Sequence, residues 1–148
     1  LTTKKVVGVP TKTVPQGVSA MMRLSPDSSP ESLTEEFNDA LGTVHTAQVT
    51  YAARDSEFDG CDIHAGEYLT LMDGALVGSF SDTSEMIDRL AETITPLNPE
   101  FVTVYYGEGV DEAGAQSFSD GLGANFAEAE TSLIRGGQPV YYYIISVE

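Results

Sequence analysis

Gly136-Gly137-Gln138-Pro139-Val140-Tyr141-Tyr142-Tyr143-Ile144-Ile145-Ser146-Val147-Glu148 is the stretch whose reading decides the fold. A glycine pair admits positive φ or close backbone approach. Pro139 removes an amide, so a strand over this segment begins at Val140. Val140 to Val147 is apolar on both faces, which suits a central strand covered on both sides. A buried strand entered through a tight glycine turn is an unusual close to a domain.

Working back from that strand, Thr131 to Ile134 and Phe101 to Tyr106 read as further strands. Between them Gly107-Glu108-Gly109 turns into a helix starting near Asp111, with Ala115, Phe118 and Leu122 on its inner face. Gly114, Gly121 and Gly123 weigh against that helix by up to about 1 kcal/mol each relative to Ala. Asp82 followed by Glu85 is a capping-box spacing. It opens a helix whose stripe is Met86, Ile87, Leu90, Ala91 and Ile94, ended by Pro96 and Pro99. Asp59-Gly60 and Asp73-Gly74 are hairpin turn signals. The strands around them are Val44 to Arg54, with Val49, Tyr51 and Ala53 on one face, then a strand pair within Asp62 to Met72, interrupted at Gly66-Glu67, and Ala75 to Phe80.

Nearer the start, Lys4 to Val9 predicts a short strand and Pro10 to Gly17 an ordered loop. Val18 to Leu24 fits a short helix or a strand. Ser29 is placed to cap a helix with Pro30 at its first position. Leu33, Phe37 and Leu41 then form its stripe and Gly42 its end. Hairpins followed by alternating strands and helices predict an α/β (α+β) layer structure, a mixed sheet with helices packed on one face. The expected organisation is residues 1–42 as the end of a preceding α/β lobe and residues 43–148 as a complete lobe.

The chain has 148 residues, 41% of them hydrophobic, a globular composition with one respectable core. Its net charge is −16, from 23 acidic and 7 basic residues. Phosphate attracts basic surfaces, so this charge argues strongly against nucleic acid or anionic membrane as a partner; the acidity also serves solubility. Lys4, Lys5, Lys12 and Arg23 place four of the seven basic residues in the first 23 positions. Cys61 stands alone, so no internal disulfide framework forms and a reducing compartment is expected. No apolar run reaches the roughly 18–20 residues that span a bilayer, and the first residues do not read as a signal peptide. Starting at Leu1 inside an expected strand, the chain reads as a fragment of a longer cytoplasmic protein.

Catalytic chemistry finds little support. Cys61 and His64 make half of a zinc spacing, but no second cysteine exists and His45 lies across a strand. No Gly-x-Ser-x-Gly elbow is present. Gly107-Glu108-Gly109 lacks the third glycine and the lysine of a phosphate loop. Three polar segments remain. Thr11, Lys12, Thr13, Gln16 and Gly17 form a rigid segment able to hold a carboxylate or phosphate oxygen, or to satisfy buried backbone groups at a connection between lobes. Arg54 beside Asp55 fits a ligand arm or a local ion pair. Gly136, Gly137 and Gln138 fit an anion-binding nest or a turn that packs two strands closely.

Pro10-Thr11-Lys12-Thr13-Val14-Pro15-Gln16-Gly17 and the Gly-Gly-Gln-Pro-x-Tyr ending together resemble the C-terminal region of the dihydroxyacetone-kinase-like (YloV-type) family, the A component of fatty acid kinase. Gln48-Val49-Thr50-Tyr51-Ala52-Ala53-Arg54-Asp55 and the segment from Asp59-Gly60 to Gly66-Glu67 also fit its pattern. The resemblance covers essentially the whole chain but not the family's kinase domain, where ATP and Mg would bind; it implies no cofactor in these residues. It implies a DegV-like lobe, DegV proteins being two-lobed lipid carriers that include the carrier component of the same kinase.

One departure bears on function. Carrier-type DegV proteins resemble one another in a His-x-Gly-Pro-Gly-type segment whose histidine approaches the lipid head group. Here the corresponding residues are Leu133-Ile134-Arg135-Gly136-Gly137-Gln138-Pro139, without histidine. The resemblance therefore implies a non-catalytic domain that docks the fatty-acid carrier, or other domains of its own chain, and regulates phosphorylation of the fatty acid. The alternatives are a lipid carrier in its own right, and a small hydrolase built on His64 and nearby carboxylates. A homodimer stays open.

Overall fold

The computed structural model of the chain describes residues 3–58 and 60–148. These fall into two compact units, Leu1–His45 and Thr46–Glu148.

The first unit is two helices. α1 spans Val14–Met22 and α2 spans Pro30–Thr43. α2 starts as its sequence predicts: the Ser29 side chain accepts from the Ser32 amide at 3.2 Å, and Pro30 occupies the first turn, where no amide partner is needed. Two expectations are corrected here. Lys4 to Val9 is not a strand but irregular chain, with Val6 76% exposed, because a short β-type run without a neighbour has no ladder to join. The segment Pro10 to Gly17 is not wholly a loop, since helix begins at Val14. Pro15 is compatible because it sits in the first helical turn.

The second unit is a six-stranded mixed sheet in the order β5-β4-β1-β8-β6-β7, with a separate two-stranded ribbon. The sheet strands are β1 (His45–Tyr51), β4 (Tyr68–Met72), β5 (Ala75–Phe80), β6 (Phe101–Tyr106), β7 (Glu130–Arg135) and β8 (Tyr143–Val147); β2 (Ser56–Phe58) and β3 (Cys61–Ile63) form the ribbon. Asp59 of the expected Asp59-Gly60 turn lies outside the described residues. At the second turn Asp73 and Gly74 both have positive φ, 49° and 86°, and Met72 pairs with Ala75. That is the two-residue turn whose twist matches antiparallel strands. β1 stops at Tyr51, short of the expected Arg54.

Two helices, α3 (Thr83–Ile94) and α4 (Glu112–Gly123), cover one face. Register puts Ala47, Val49, Met72, Val102, Val104, Ile145 and Val147 on that face. They share one core with Met86, Leu90 and Ile94 of α3 and Ala115, Phe118 and Leu122 of α4. The glycines of α4 mark close approach: a Cβ at Gly121 would lie 3.2 Å from Ile87, and one at Gly123 3.0 Å from the Thr131 hydroxyl. Packing against α3 and β7 thus offsets their poor helix propensity.

The closing strand is central, between β1 and β6, and all five of its residues are buried. It starts at Tyr143 rather than Val140. Residues 136–142 instead form an irregular connection, because Val140 takes φ 71° and the Tyr141 amide donates to the Pro139 carbonyl at 2.8 Å. This is a three-residue γ-turn of the rare positive-φ kind, incompatible with an extended strand.

Candidate functional site

In the first unit, the polar segment Thr11–Gly17 builds the start of α1. Thr13 is the N-cap, its hydroxyl accepting from the Gln16 amide at 3.4 Å. Gln16 reaches back, its Oε1 accepting from the Lys12 amide at 2.8 Å, while its Nε2 approaches the Leu41 carbonyl of α2 at 3.5 Å. Gly17 donates its amide to the Thr13 carbonyl at 3.2 Å. The signal Thr13-x-x-Gln16 was present in the sequence as a capping-box spacing. So was the spacing of Val14, Val18 and Met21, at i, i+4 and i+7.

α1 buries Pro15, Ser19 and Ala20 and turns its large apolar side chains outward. Val14, Val18, Met21 and Met22 are 67%, 41%, 60% and 80% exposed. With Thr11, Lys12, Thr13 and Gly17 they line a shallow groove of about 820 Å³. Water on such a stripe is unfavourable by roughly 25 cal/mol per Å² of apolar surface.

In the second unit, Gly136, Gly137 and Gln138 knit a corner. Both glycine amides donate to the Tyr106 carbonyl at 3.0 Å. Gln138 Nε2 donates to the carbonyls of Tyr105 at 3.1 Å and Tyr141 at 3.4 Å, and the Gln138 carbonyl accepts from the Glu108 amide at 3.1 Å. The Thr50 hydroxyl donates to the Val140 carbonyl at 3.0 Å, and the Tyr142 amide to the Val49 carbonyl at 2.8 Å. These bonds describe a turn that packs β1, β6 and β8 closely.

Arg54 lies exposed in the connection between β1 and β2, away from the glycine corner in sequence and element. Its neighbour Asp55 accepts from the Ala65 amide at 2.8 Å. Near His64, Glu67 accepts from the His64 amide at 3.0 Å and from the Ser79 hydroxyl. These bonds hold the Glu67 carboxyl below its usual range, Ser79 first and the His64 amide second. Cys61 is exposed. Among the described residues no group of three or more His, Cys, Asp or Glu is placed to hold a metal ion, and no helix is long and apolar enough to cross a membrane.

A cavity of about 380 Å³ opens where α3 and α4 begin, lined by Tyr68, Tyr142, Tyr143, Thr83, Met86 and Asp111 among others. Tyr68 and Tyr142 meet edge-on, 5.8 Å apart at 65°, and Tyr51 flanks Tyr142 at 5.7 Å. Tyr143 stacks on Phe118 at 3.9 Å. Burial pushes the Tyr143 phenol up to about 12, with Tyr68 and Asp111 adding to the rise. Sequence reading missed this site because strand pairing, not spacing, joins Tyr68 to Tyr142.

A six-stranded mixed sheet with helices on one face is a fold that recurs in solved structures. A DegV family protein from Corynebacterium glutamicum matches with a TM-score of 0.64 at 11% identity, covering 89% of this chain and 57% of that one. One from Eubacterium eligens, loaded with heptadecanoic acid, matches at 0.62 and 13% identity, covering 90% of this chain and 55% of the other. A fatty acid binding DegV family protein from Streptococcus agalactiae matches at 0.57 and 8% identity, covering 89% and 54%. The chain therefore has part of the DegV fold. Over residues 1–148 it matches the FakA-like C-terminal family, the C-terminal region of fatty acid kinase A-type proteins, and the chain belongs to that family. It is 32% identical over 145 residues to Protein YloV of Bacillus subtilis, covering 98% of this chain and 26% of that protein. It is 31% identical over 144 residues to an uncharacterized Staphylococcus epidermidis protein, covering 97% and 26%. The chain thus spans about a quarter of the length of the curated relatives it matches.

Proposed function

We propose that this chain is the non-catalytic, DegV-like C-terminal domain of a fatty acid kinase component, and that it docks the fatty-acid carrier or regulates ATP-dependent phosphorylation of the bound fatty acid. One observation carries the reading that it does not hold the lipid itself. At the glycine corner, where a carrier would offer donors to a carboxylate, the amides of Gly136 and Gly137 and the Gln138 side chain are already bonded within the protein. Breaking them would expose buried acceptors, at about 1–3 kcal/mol each. ATP and Mg belong, on this reading, to a kinase domain elsewhere in the longer protein, and the setting is cytoplasmic.

The outward stripe of α1 supports the further reading that residues 1–42 end a preceding lobe. An apolar helix face is stable when another element covers it, and the relatives carry about three-quarters of their length outside the matched region. Other parts of the same chain are the proposed cover. Thr11, Lys12, Thr13, Gln16 and Gly17 would shape the rim of that contact, and Arg54 would serve a partner contact on the second unit.

The second reading, a lipid-binding module, draws on the apolar groove along α1 and on the fatty acids named for the DegV structures. One experiment separates the two. The purified chain is extracted for acyl chains by mass spectrometry and titrated calorimetrically with a fatty-acid-loaded DegV-like carrier. The proposal expects saturable carrier binding and no stoichiometric acyl chain. Stoichiometric fatty acid with no carrier binding would replace it with the second reading.

A further inference from the structure

The cavity at the start of α3 and α4 has a chemistry of its own, independent of the proposed function. We infer that it is a binding site for an alkylammonium group, held by the faces of Tyr68 and Tyr142 and by the carboxylate of Asp111. Tyr68 and Tyr142, in edge-on contact at 65°, both line the cavity, and grouped aromatic rings are the walls that take up an alkylated ammonium. Met86 adds a polarizable wall.

Charge decides between a cation and an anion. Two helix N-termini point toward the cavity region, each equivalent to about half a positive charge. Each is answered by a full carboxylate: Asp82 caps α3, accepting from Ser84 at 2.8 Å, and Asp111 caps α4, accepting from Gly114 at 2.8 Å. No Lys or Arg lines the cavity. Residues 46–148 carry 3 basic and 18 acidic residues, a net charge of 3 − 18 = −15. An anion would meet that field and Asp111 at contact; a cation is drawn in by both.

Tyr143 lines the cavity while only 6% exposed. Among the described residues its hydroxyl is not one of the buried, unsatisfied atoms, so it is reachable from the cavity or bonded. At about 380 Å³ the cavity has the size of a small-ligand site. It has room for an ammonium head and the first carbons attached to it.

The head group could arrive free or on a lysine side chain of a partner protein, and the test separates these sources. The intact chain is titrated by calorimetry, with amide NMR shifts as the second readout. The probes are choline, tetramethylammonium, a short peptide bearing trimethyl-lysine, and sodium acetate. The inference expects saturable binding of the cations, shifts at Tyr142, Tyr143 and Asp111, and none from acetate. Tighter binding of the peptide assigns the group to a partner's side chain; tighter binding of choline assigns it to a free amine. Asp111→Asn keeps a capping side chain and should weaken binding about tenfold. Asp120→Asn makes the same charge change on the outer part of α4 and should leave binding unaltered. Tyr142→Leu should weaken it comparably to Asp111→Asn. Absence of saturation with every cation, binding of acetate as strong as choline, or equal effects of the two Asp→Asn variants would each overturn the inference.

Discussion

Gly107 and Tyr141 approach so closely that a Cβ on Gly107 would lie 2.2 Å from the Tyr141 carbonyl oxygen, and 2.6 Å from that of Gln138. The contact ties the end of β6 to the irregular connection before β8. It is backbone against backbone, so no rotamer change relieves it. Gly107→Ala should destabilise the protein by about 1–3 kcal/mol, as overpacking that displaces main chain. Gly42, within α2, has open space around it, so Gly42→Ala should be neutral or stabilising by up to about 1 kcal/mol. Urea midpoints of the two variants check the pair.

Thr70 sits at the centre of the helix-covered face, opposite Val49 and Gly78, with 0% exposure. Among the described residues its hydroxyl is buried without a partner. Thr70→Val keeps the shape and removes the unsatisfied group, and should stabilise by about 1 kcal/mol. A midpoint unchanged or lowered in urea would mean that the hydroxyl has a partner.

Asp82 holds the start of α3 through two amides, Ser84 at 2.8 Å and Glu85 at 3.2 Å. Asp82→Ala should cost about 1 kcal/mol, whereas Asp82→Asn should retain most of the stability because an amide oxygen also caps. Thermal unfolding should place the native protein highest, Asp82→Asn next and Asp82→Ala lowest.

Alkaline unfolding should report on Tyr143. Its phenol titrates at about 12 in the folded protein, against about 10 for an unfolded chain. Below about pH 10 both states hold the proton and the contribution is complete. As pH rises toward 12 the unfolded state ionises first, so folding stability falls. Tyr105, raised by burial and then by the charge of Glu148, acts in the same direction. Tyr143→Phe should flatten the decline in denaturation midpoint between about pH 10 and pH 12 without abolishing it.

Much of the architecture was legible because it rests on short-range chemistry. Ser29 with Pro30, and Asp82 three residues before Glu85, cap their helices wherever those helices go. Asp73-Gly74 makes its turn because few other pairs tolerate positive φ twice in succession. The stripes of α3 and α4 follow from helical period, so Met86, Leu90, Phe118 and Leu122 could be assigned to the core. At the sites, the Thr13-x-x-Gln16 spacing was equally local. Its helix was obscured because α1 turns its apolar residues outward, the reverse of a self-contained amphipathic helix.

What composition and spacing established about this protein is where strands, turns and helices can form, and that a central apolar ribbon ends at Val147. Only tertiary structure decided which of those ribbons found neighbours. Lys4 to Val9 has β-type residues but no pairing edge, so it stays irregular. Val140 has the residue type of a strand, but the corner bonded through Gly136, Gly137 and Gln138 bends it into positive φ. Tyr68 and Tyr142 are far apart in the chain and meet only because β4 and β8 flank β1 on opposite sides. Hydrogen-bond ladders join residues at any separation, and the free energy of that pairing is not written in either partner alone.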